Sequence, residues 1–473
     1  MRRWQRRMSS NVVKNELLPE GWVFTIIGNL LDFEYGKGLT KKKRNEDGKF
    51  PVYGSNGIVG YHDNFLIEAP AVIIGRKGAA GEVSYSDKNC WPIDTTYFIN
   101  NLKCLNIKFV FYLLKSLRLN QYDRSTAIPG LNRNDAYELS FKLPPFSEQN
   151  QIASKIEELF SELDNGIENL KKAREQLKTY RQAVLKYAFE GKLTKEWRTQ
   201  RLPAGRRVAG RPKKQKELPA LTEKELEELP EGWKWEQIKE ITTVLGDGLH
   251  GTPIYSNEGD YYFINGNNLS DGKIEIKENT KRVTIEEYEK YKKPLNENTI
   301  FVSINGTLGN TALYNGEKVI LGKSACYFNV LNIIDKHYIR YCITSRRFIN
   351  YAYKNATGST IKNVSLKAMR EFEIPTPPTL EEQQAIVSEI EIRLSVCDKL
   401  EQTIEDSLKK AESLRQSILK KAFAGELTKD WREKHPELIT GENSAEKLLE
   451  KIKAEKVLAA GRKKLQSKKT KKK

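Results

Sequence analysis

Apolar positions along the chain fall into two long stripes with helical spacing, within residues 149–198 and 383–432. Their members recur at steps of three, four or seven and are Ile156, Phe160, Leu163, Ile167, Leu170, Leu177 and Val184 in the first stripe, and Ile390, Leu394, Cys397, Ile404, Ala411, Ile418 and Ala422 in the second. Such steps place a narrow apolar seam on a helix. We therefore predict two long helices that pack together as an antiparallel coiled coil.

Prolines and glycines mark the ends of both predicted helices. Pro144-Pro145 and Pro377-Pro378 disfavour helix just before each start. Gly191 and Gly425 supply the C-terminal stops. About 40 residues at 1.5 Å each give a rod of roughly 60 Å, against about 12 residues for an average helix. This length predicts a spacer or an arm rather than an ordinary core helix.

The stripes belong to an internal repeat. Residues 149–198 align without a gap to 383–432, with 19 identical residues among 50 positions. The segment Leu-Pro-Glu-Gly-Trp occurs at 18–22 and again at 229–233. A period above 200 residues is too long for a solenoid. The chain is therefore predicted to contain two copies of a whole domain followed by a helix.

The two regions outside the helices share an order of parts. Each has, in this order, a strand–glycine turn–strand, a Tyr-Phe strand, an aromatic-rich helix, and a Ser/Thr segment with a short helix. In the first region these parts are residues 72–83, 97–98, 109–117 and 125–139. In the second region they are residues 300–311, 327–328, 338–348 and 358–372. Gly78 and Gly81 match Gly306 and Gly309. The regions are therefore diverged copies that mix helix and strand, and their divergence allows two specificities.

These observations predict an α+β protein with two mixed α/β domains in a pseudo-twofold arrangement, joined by the two long helices. Its predicted parts are a basic N-terminal extension (1–17), domain 1 (18–143), long helix 1 (144–198), a basic linker (199–228), domain 2 (229–376), long helix 2 (377–432) and a helical, basic tail (433–473). The resemblance described below implies that both are target-recognition domains.

Positive charge is concentrated in three segments that contain no acidic residue. Residues 2–14, 198–216 and 462–473 together carry 21 basic residues, whereas the whole chain has a net charge of +18. The remainder is therefore close to neutral. Basic tails and linkers suit a polyanion such as DNA or RNA, although they also serve simply to keep a protein soluble. Residues 209–214, around Gly210-Arg211-Pro212, fit either an A·T minor-groove contact or a plain basic linker.

Cysteine spacing and hydropathy indicate the cellular compartment of the protein. The five cysteines show no Cys-x-x-Cys spacing, which predicts reduced core or near-core thiols and no zinc site. No run of about 18 apolar residues exists, and no apolar segment follows the basic N-terminus. The sequence thus predicts a cytoplasmic protein without a membrane partner.

Segments that resemble catalytic motifs lack the spacing or the residue type that the chemistry requires. An amino-methyltransferase needs Asn or Asp before a Pro-Pro-aromatic pair to hold the target amine, but Leu143 stands before Pro144-Pro145-Phe146. Gly316 lies one residue too far from Gly322-Lys323-Ser324 for a phosphate-binding loop. The acidic residues follow charge-paired helical patterns rather than metal-binding clusters. We therefore expect no catalytic residue and no metal site.

Candidate DNA contacts in domain 1 lie on loops and at a predicted helix start. The glycine turn brings Arg76 and Lys77 close to DNA, or is an ordinary β-turn. Lys41, Lys42, Lys43 and Arg44 form a basic loop. Asn132 is predicted to cap the closing helix, and a helix start favours phosphate. Thr126 and Arg133 flank that cap and complete the set for this domain.

Domain 2 offers an analogous set. Asn305 lies on its glycine turn, and Ser359, Thr360 and Lys362 precede the predicted cap Ser365. Polar side chains able to read base edges, or to serve as turn residues, are His250, Thr252, Asn265, Asn267 and Asn268.

Taken together, the motifs resemble the type I restriction–modification specificity (S) subunit family. The motifs are the two LPEGW starts, PVYGSNGIVGYHD (51–63), IGRKGAAGEV (74–83), WPIDTTYFI (91–99), TAIPGLNR (126–133), PPFSEQ, PPTLEEQ and the two AFxGxLTKxWR helix ends. The resemblance covers residues 15–435. It leaves out the basic N-terminal extension and tail, and the long basic linker is a departure from the family.

The resemblance implies a non-catalytic subunit that binds double-stranded DNA and reads a bipartite, asymmetric site. It implies two modification (methyltransferase) subunits and restriction (motor-nuclease) subunits as partners. S-adenosylmethionine, ATP and magnesium are expected on those partners, and no cofactor on this chain. Two other classes fit the residues: a stand-alone DNA-binding protein, which would purify without a methyltransferase, and a structural coiled-coil protein with carbohydrate- or protein-binding heads, which would lack DNA affinity.

Overall fold

The computed structural model describes residues 18–100, 102–122, 130–200 and 229–470, with side chains described to residue 458. The N-terminal extension, Thr126, most of the basic linker and the last three residues lie outside this range. The chain divides into two compact units. Unit 1 comprises Met1–Asn169 with Ser407–Lys473, and unit 2 comprises Leu170–Asp406. Each long helix contributes one part to each unit.

Unit 1 contains two sheets and a two-stranded ladder. Its strands are β1 (Val23–Ile26), β2 (Glu34–Tyr35), β3 (Phe50–Gly54), β4 (Gly57–His62), β5 (Ala71–Gly75), β6 (Val83–Ser86), β7 (Trp91–Pro92), β8 (Thr96–Asn100) and β9 (Ser140–Leu143). The strand orders are β2-β8-β5-β6 and β4-β3-β7, and β1 pairs with β9. Only the β3–β7 pair is parallel among these described pairs.

Unit 2 repeats these orders. Its strands are β10 (Lys234–Gln237), β11 (Thr242–Asp247), β12 (Tyr261–Ile264), β13 (Leu269–Ser270), β14 (Lys273–Ile274), β15 (Arg282–Val283), β16 (Thr299–Ser303), β17 (Thr311–Leu313), β18 (Val319–Leu321), β19 (Ala325–Val330), β20 (Ala356–Thr357), β21 (Asn363–Val364) and β22 (Glu373–Thr376). The orders β11-β19-β16-β17 and β15-β12-β18 match unit 1, with β12–β18 parallel and β10 paired with β22. This match confirms the predicted duplication. Two short hairpins, β13–β14 and β20–β21, are added.

The helices follow the same repeat. They are α1 (Ile27–Leu30), α2 (Ile107–Ser116), α3 (Arg133–Tyr137), α4 (Phe146–Phe189), α5 (Lys195–Gln200), α6 (Ile285–Tyr291), α7 (Lys336–Thr344), α8 (Arg346–Asn355), α9 (Leu366–Glu371), α10 (Leu380–Phe423), α11 (Lys429–Lys434) and α12 (Ala445–Thr470). Asn132 and Ser365 cap α3 and α9, as predicted: each side chain accepts a hydrogen bond from an amide of its helix.

The two long helices, α4 and α10, each have 44 residues. α4 starts directly after Pro145, and α10 starts two residues after Pro378. Both stop before a glycine of positive φ, Gly191 at +65° and Gly425 at +79°. The predicted starts and stops are therefore confirmed.

Within each unit the helices pair in antiparallel order. In unit 1, Asp164 pairs with Arg415, while Ile156 shares a core with Ile418. In unit 2, Arg181 lies 2.7 Å from a carboxylate oxygen of Asp398, while Val184 shares a core with Ile390. In both units the partner number falls along α10 as the number rises along α4. This arrangement is the predicted antiparallel coiled coil.

The aromatic-rich helix is continuous in unit 1 but broken in unit 2. The sequence predicts one helix across Tyr338–Phe348, whereas the structure places a break between α7 and α8. Ser345 causes it: its hydroxyl donates to the carbonyl of Cys342 at 2.6 Å and accepts from the amide of Phe348 at 3.3 Å. A serine in this position ends one helix and caps the next.

The described side chains of the C-terminal helix α12 pack on unit 1. Ala445, Leu448, Leu449 and Ile452 join its core. The Lys456 ammonium donates to the carbonyls of Gly28 and Leu31 and to Asp32 at 3.0–3.2 Å. Among the side chains of α12 that the structure describes, these anchors lie before its basic end.

All five cysteines are free, and four of them are buried, with Cys104 half-buried. Burial raises the pKa of Cys326 to about 12 and that of Cys90 to about 11. These thiols stay protonated at neutral pH, which confirms the prediction of core thiols. Among the described residues, no helix is long and apolar enough to cross a membrane.

Candidate nucleic-acid interface

The glycine turn of unit 1 is held against the segment that precedes α3. Lys77 and Gly130 form an antiparallel bridge, and the Leu131 amide donates to the Arg76 carbonyl at 2.9 Å. The Arg76 and Lys77 amides both donate to the carbonyl of Thr95, at 2.9 and 3.2 Å. Three segments that are distant in sequence therefore meet at this end of the sheet. Two predicted contacts, Arg76 and Lys77, lie there.

Unit 2 builds the same junction. Asn305 bridges Asn363, and the Val364 amide donates to the Ile304 carbonyl at 2.8 Å. The Ile304 and Asn305 amides both donate to the carbonyl of Ser324, at 3.0 and 3.3 Å. Because every bond has its counterpart, Arg76 corresponds to Ile304 and Lys77 to Asn305. We call this three-segment surface the turn junction of each unit.

Paired glycines shape both turns. Gly78 and Gly81 have φ of +83° and +82°, and Gly306 and Gly309 have +79° and +82°. Side chains other than glycine rarely adopt this region. The four glycines matched in the sequence thus hold equivalent backbone positions.

A polar network extends the turn junction of unit 2. The Ser324 hydroxyl donates to the side chain of Asn265 at 3.0 Å, and the Asn305 amide group donates to the side chain of Asn363 at 3.2 Å. The backbone amide after Asn305 donates to the Lys362 carbonyl at 3.0 Å. Three predicted contacts, Asn265, Asn305 and Lys362, are therefore brought together.

His250 and Thr252 follow a strand end beside that network. The Lys323 amide donates to the carbonyl of Leu249 at 3.0 Å, so His250 leaves the sheet next to Lys323. The His250 ring is hydrogen-bonded to Asp247, and its side chain is otherwise exposed. Thr252 is also exposed. Both side chains are open to a ligand.

Asn267 and Asn268 lie in a turn after β12. Asn268 is only 5% exposed. Its amide donates to the Glu275 carbonyl at 2.9 Å and its side-chain oxygen accepts from the amide of Asn265 at 3.0 Å. Asn268 is therefore a turn residue, the second of the two roles open to it. Asn267 is exposed and accepts from Lys277 through its carbonyl.

The basic loop of unit 1 divides into two roles. Lys41, Lys42 and Lys43 form an exposed 3₁₀ turn. Arg44 donates to the carbonyls of Leu39 and Val59 at 3.1 and 3.2 Å, so that it holds the loop to β4. The three lysines remain available to phosphate.

Ser359 and Thr360 lie at the tip of the β20–β21 hairpin, and both are exposed. This hairpin leads into Asn363 and so into the turn junction of unit 2. Thr126, the corresponding prediction for unit 1, lies outside the described residues.

Arg76 and Arg133 come together over Tyr35. Their guanidinium carbons lie 5.0 and 5.3 Å from the centroid of its ring, and Tyr35 is 53% exposed. Beneath it, Tyr97 is buried, and burial raises the pKa of its phenol, with Tyr35 adding to the rise and Arg76 opposing it. Tyr35 was not among the sequence candidates, because a tyrosine in a two-residue strand gives no distinct signal.

Sequence reasoning also missed a buried carboxylate cluster in unit 1. Glu148, fully buried at the start of α4, accepts from the indole of Trp22 and the hydroxyl of Thr428, both at 2.7 Å. Arg432 approaches the same carboxylate at 3.0 Å and also donates to the Gly425 carbonyl. This Glu148 cluster ties the start of domain 1 to the end of the second long helix.

Unit 2 contains the matching Glu382 cluster. Glu382, 3% exposed, accepts from the indole of Trp233 at 3.2 Å and the hydroxyl of Thr194 at 3.4 Å. Arg198 approaches it at 2.5 Å and also donates to the Gly191 carbonyl. The start of domain 2 is thus tied to the end of the first long helix. The sequence repeats the three motifs that supply these residues. It does not indicate which copy of one motif packs against which copy of another.

No group of three or more His, Cys, Asp or Glu side chains in the described part of the chain is arranged to hold a metal ion. Leu143, which precedes the Pro-Pro pair, is fully buried in β9 and paired with Val23. It therefore offers no polar group to a substrate amine.

A duplicated scaffold that presents different side chains at equivalent positions defines a protein with two related recognition surfaces. The family model of the type I restriction modification DNA specificity domain matches residues 19–176 and 230–410. These ranges cover most of the chain, which therefore belongs to this family of type I restriction–modification specificity proteins.

Curated relatives match over nearly the whole chain. The Type I restriction enzyme EcoDI specificity subunit of Escherichia coli is 29% identical over 452 residues, covering 94% of this chain and 98% of the relative. The EcoKI specificity subunit of Escherichia coli strain K12 is 26% identical, with the same coverage.

Solved structures share the fold. A structure of the type I R-M system superimposes with a TM-score of 0.59 at 18% identity, covering 86% of this chain and 99% of the other. The HsdS subunit from Thermoanaerobacter tengcongensis gives a TM-score of 0.51 at 17% identity, covering 87% and 99%. Two-domain S subunits therefore have the architecture described above.

Proposed function

We propose that this chain is the non-catalytic DNA-recognition subunit of a type I restriction–modification complex, in which each unit reads one half of a bipartite, asymmetric site. The observation that carries the proposal is the pair of turn junctions: identical backbone bonds present Arg76 and Lys77 in unit 1 but Ile304 and Asn305 in unit 2. One scaffold with two sets of side chains suits two different half-sites.

The subunit directs partner enzymes to that site. Two modification (methyltransferase) subunits and restriction (motor-nuclease) subunits are its proposed partners, and S-adenosylmethionine, ATP and magnesium belong to them. The support is the family membership, together with Leu143, whose buried side chain stands where a methyltransferase would need Asn or Asp. Within each unit, the paired helices α4 and α10 offer those partners a helical surface.

Domain exchange tests the proposal. Replacing residues 18–143 with the domain of a relative, in cells that contain the methyltransferase partner, is expected to change one half of the methylated sequence and leave the other. Replacing residues 229–376 should change only the other half. Sequencing of methylated genomic DNA reads both outcomes.

The control for the exchange is the purified chain alone, which should transfer no methyl group. Transfer by the lone chain, or a simultaneous change of both halves after either exchange, would contradict two independent, non-catalytic readers.

Deleting residues 462–473 is expected to weaken DNA binding without changing the recognised sequence. The segment carries eight basic residues and lies beyond the four described buried residues of α12 that join the core of unit 1, so those core contacts are kept. Each lost phosphate contact flattens the slope of log affinity against log salt by about 0.9. Binding titrations at several salt concentrations measure that slope.

A variant with the eight basic residues changed to glutamine keeps the length of α12 and should behave like the deletion. A new methylated sequence in either variant would show that the tail reads bases, which is the opposite of this prediction.

A further inference from the structure

Tyr35, Arg76 and Arg133 form a compact group at the turn junction of unit 1. Arg76 donates to the Asp94 carbonyl at 3.1 Å, and Arg133 donates to the Phe33 carbonyl at 3.4 Å. These bonds hold both guanidinium groups over the exposed ring. A guanidinium has five N–H donors, so most donors of each arginine are left for a ligand.

The group carries two positive charges that no described carboxylate neutralises. Neither arginine forms an ion pair with an acidic side chain among the described residues, whereas Arg181, Arg198, Arg415 and Arg432 all do. An aromatic ring supports a guanidinium without neutralising it. The site is therefore suited to an anion.

The same backbone positions in unit 2 carry no such group. Strand pairing matches Tyr35, opposite Tyr97, with Asp247, opposite Cys326. The turn junction matches Arg76 with Ile304, and the helix starts match Arg133 with Leu366. Unit 2 thus has an acid and two aliphatic residues where unit 1 has a ring and two cations. The scaffold folds with either set, so the cations of unit 1 are not needed for the fold.

We propose that Tyr35, Arg76 and Arg133 bind a backbone phosphate of double-stranded DNA at the half-site of unit 1; this proposal rests on the proposed function. A phosphodiester oxygen pair matches the planar donors of a guanidinium. The uncompensated charge favours the anionic backbone over a neutral base edge. Lys77, exposed next to Arg76, adds a further cation on the same turn.

The test is the double variant Arg76→Ile/Arg133→Leu, which introduces the residues that unit 2 has at these positions. In the complex with the methyltransferase partner, affinity for the methylated duplex is expected to fall about 30-fold or more. The salt slope should fall by about 0.9, because one phosphate contact is lost. The methylated sequence should stay the same, because phosphate contacts carry no direct sequence information.

The matched control is Lys88→Gln/Lys103→Gln, which removes the same charge from exposed positions of unit 1. Lys88 lies two residues after Ser86 and Lys103 three residues after Asn100. Both Ser86 and Asn100 pair with Ala71, at the end of the sheet opposite the turn. This control should bind within about twofold of the original chain. Arg76→Lys/Arg133→Lys should keep the salt slope but lose part of the affinity, because lysine cannot bind bidentately.

The outcomes distinguish a failure of the proposed phosphate site from a failure of the proposed function. If the unmodified complex fails to bind any DNA sequence selectively, the proposed function fails. If it binds selectively and Arg76→Ile/Arg133→Leu binds equally well, the phosphate site is wrong. A relaxed preference at one base position in either arginine variant would show a base contact instead, and would equally overturn it. Circular dichroism and limited proteolysis of unit 1 establish that each variant is folded.

Discussion

Replacing Glu148 with alanine is expected to destabilise unit 1 by about 3–5 kcal/mol. The carboxylate is fully buried and accepts from Trp22, Thr428 and Arg432. Alanine leaves the Arg432 guanidinium, whose side chain is 11% exposed, without its counter-charge. It also leaves the buried indole and hydroxyl without their acceptor, and unmet buried donors cost about 1–3 kcal/mol each.

Hydrogen exchange measures this loss of stability segment by segment. It is preferable to a single unfolding midpoint for the whole chain, because two units need not unfold together. Protection is expected to fall in β1, in the last turns of α10 and in α11, and to remain in unit 2. Glu382→Ala should give the mirror result around Trp233, Thr194 and Arg198, because its cluster has the same composition.

Two controls isolate the buried charge. Glu158→Ala removes an exposed glutamate from the same helix. Its one ion pair in the described part of the chain is with Lys155, so the change should cost about 0.5 kcal/mol or less. Glu148→Leu/Arg432→Leu removes both charges and should recover a large part of the loss. Equal effects of Glu148→Ala and Glu158→Ala would show that the Glu148 cluster does not hold the unit together.

The clusters show which part of the fold is readable from sequence. The repeat, the helix ends and the paired glycines follow local rules, so hydrophobic spacing, proline and glycine predict them correctly. The pairing of Trp22 with Arg432 joins residues about 400 positions apart. Two equivalent arginines, Arg198 and Arg432, were equally compatible with Trp22 by motif alone. Only the packing of the long helices decides between them.

The candidate nucleic-acid interface likewise contains residues that local sequence rules indicate and residues that only the tertiary structure reveals. Arg76, Lys77 and Asn305 were predicted as candidates because a glycine turn in a repeat marks a shaped backbone. Tyr35 was missed because its setting depends on two arginines that are held by backbone carbonyls at Asp94 and Phe33. Asn268 was included because an exposed and a buried asparagine look alike in sequence, and the tertiary hydrogen bonds that bury it are not local.

Gly81→Ala is expected to cost about 3 kcal/mol or more, whereas Gly78→Ala, three residues earlier in the same turn, should cost only about 1 kcal/mol. Both glycines have φ near +82°, so both variants incur the same strain of a side chain in the left-handed region. The difference lies in what the new Cβ meets. At Gly81 it would lie 2.2 Å from the amide nitrogen of Asn120 and 2.4 Å from the carbonyl carbon of Leu119.

Backbone atoms cannot rotate away from such a contact, so the turn or the segment after α2 must move. At Gly78 the new Cβ meets, among the described residues, only the Ser55 hydroxyl, at 3.4 Å. Unit 2 supplies a second pair: at Gly309 the Cβ meets the flexible end of Ile349 at 2.4 Å, and at Gly306 it meets nothing within 4 Å. Gly309→Ala should therefore fall between Gly81→Ala and the two mild variants.

Denaturant unfolding with unit-resolved hydrogen exchange ranks the four variants. The expected order of destabilisation is Gly81→Ala, then Gly309→Ala, then Gly78→Ala and Gly306→Ala together. Because Arg76 and Lys77 lie on the turn that Gly81 anchors, Gly81→Ala should also weaken DNA binding through unit 1 by displacing them. Equal costs at Gly78 and Gly81 would mean that backbone strain alone sets the turn, and that its contact with the segment after α2 does not hold the turn junction in place.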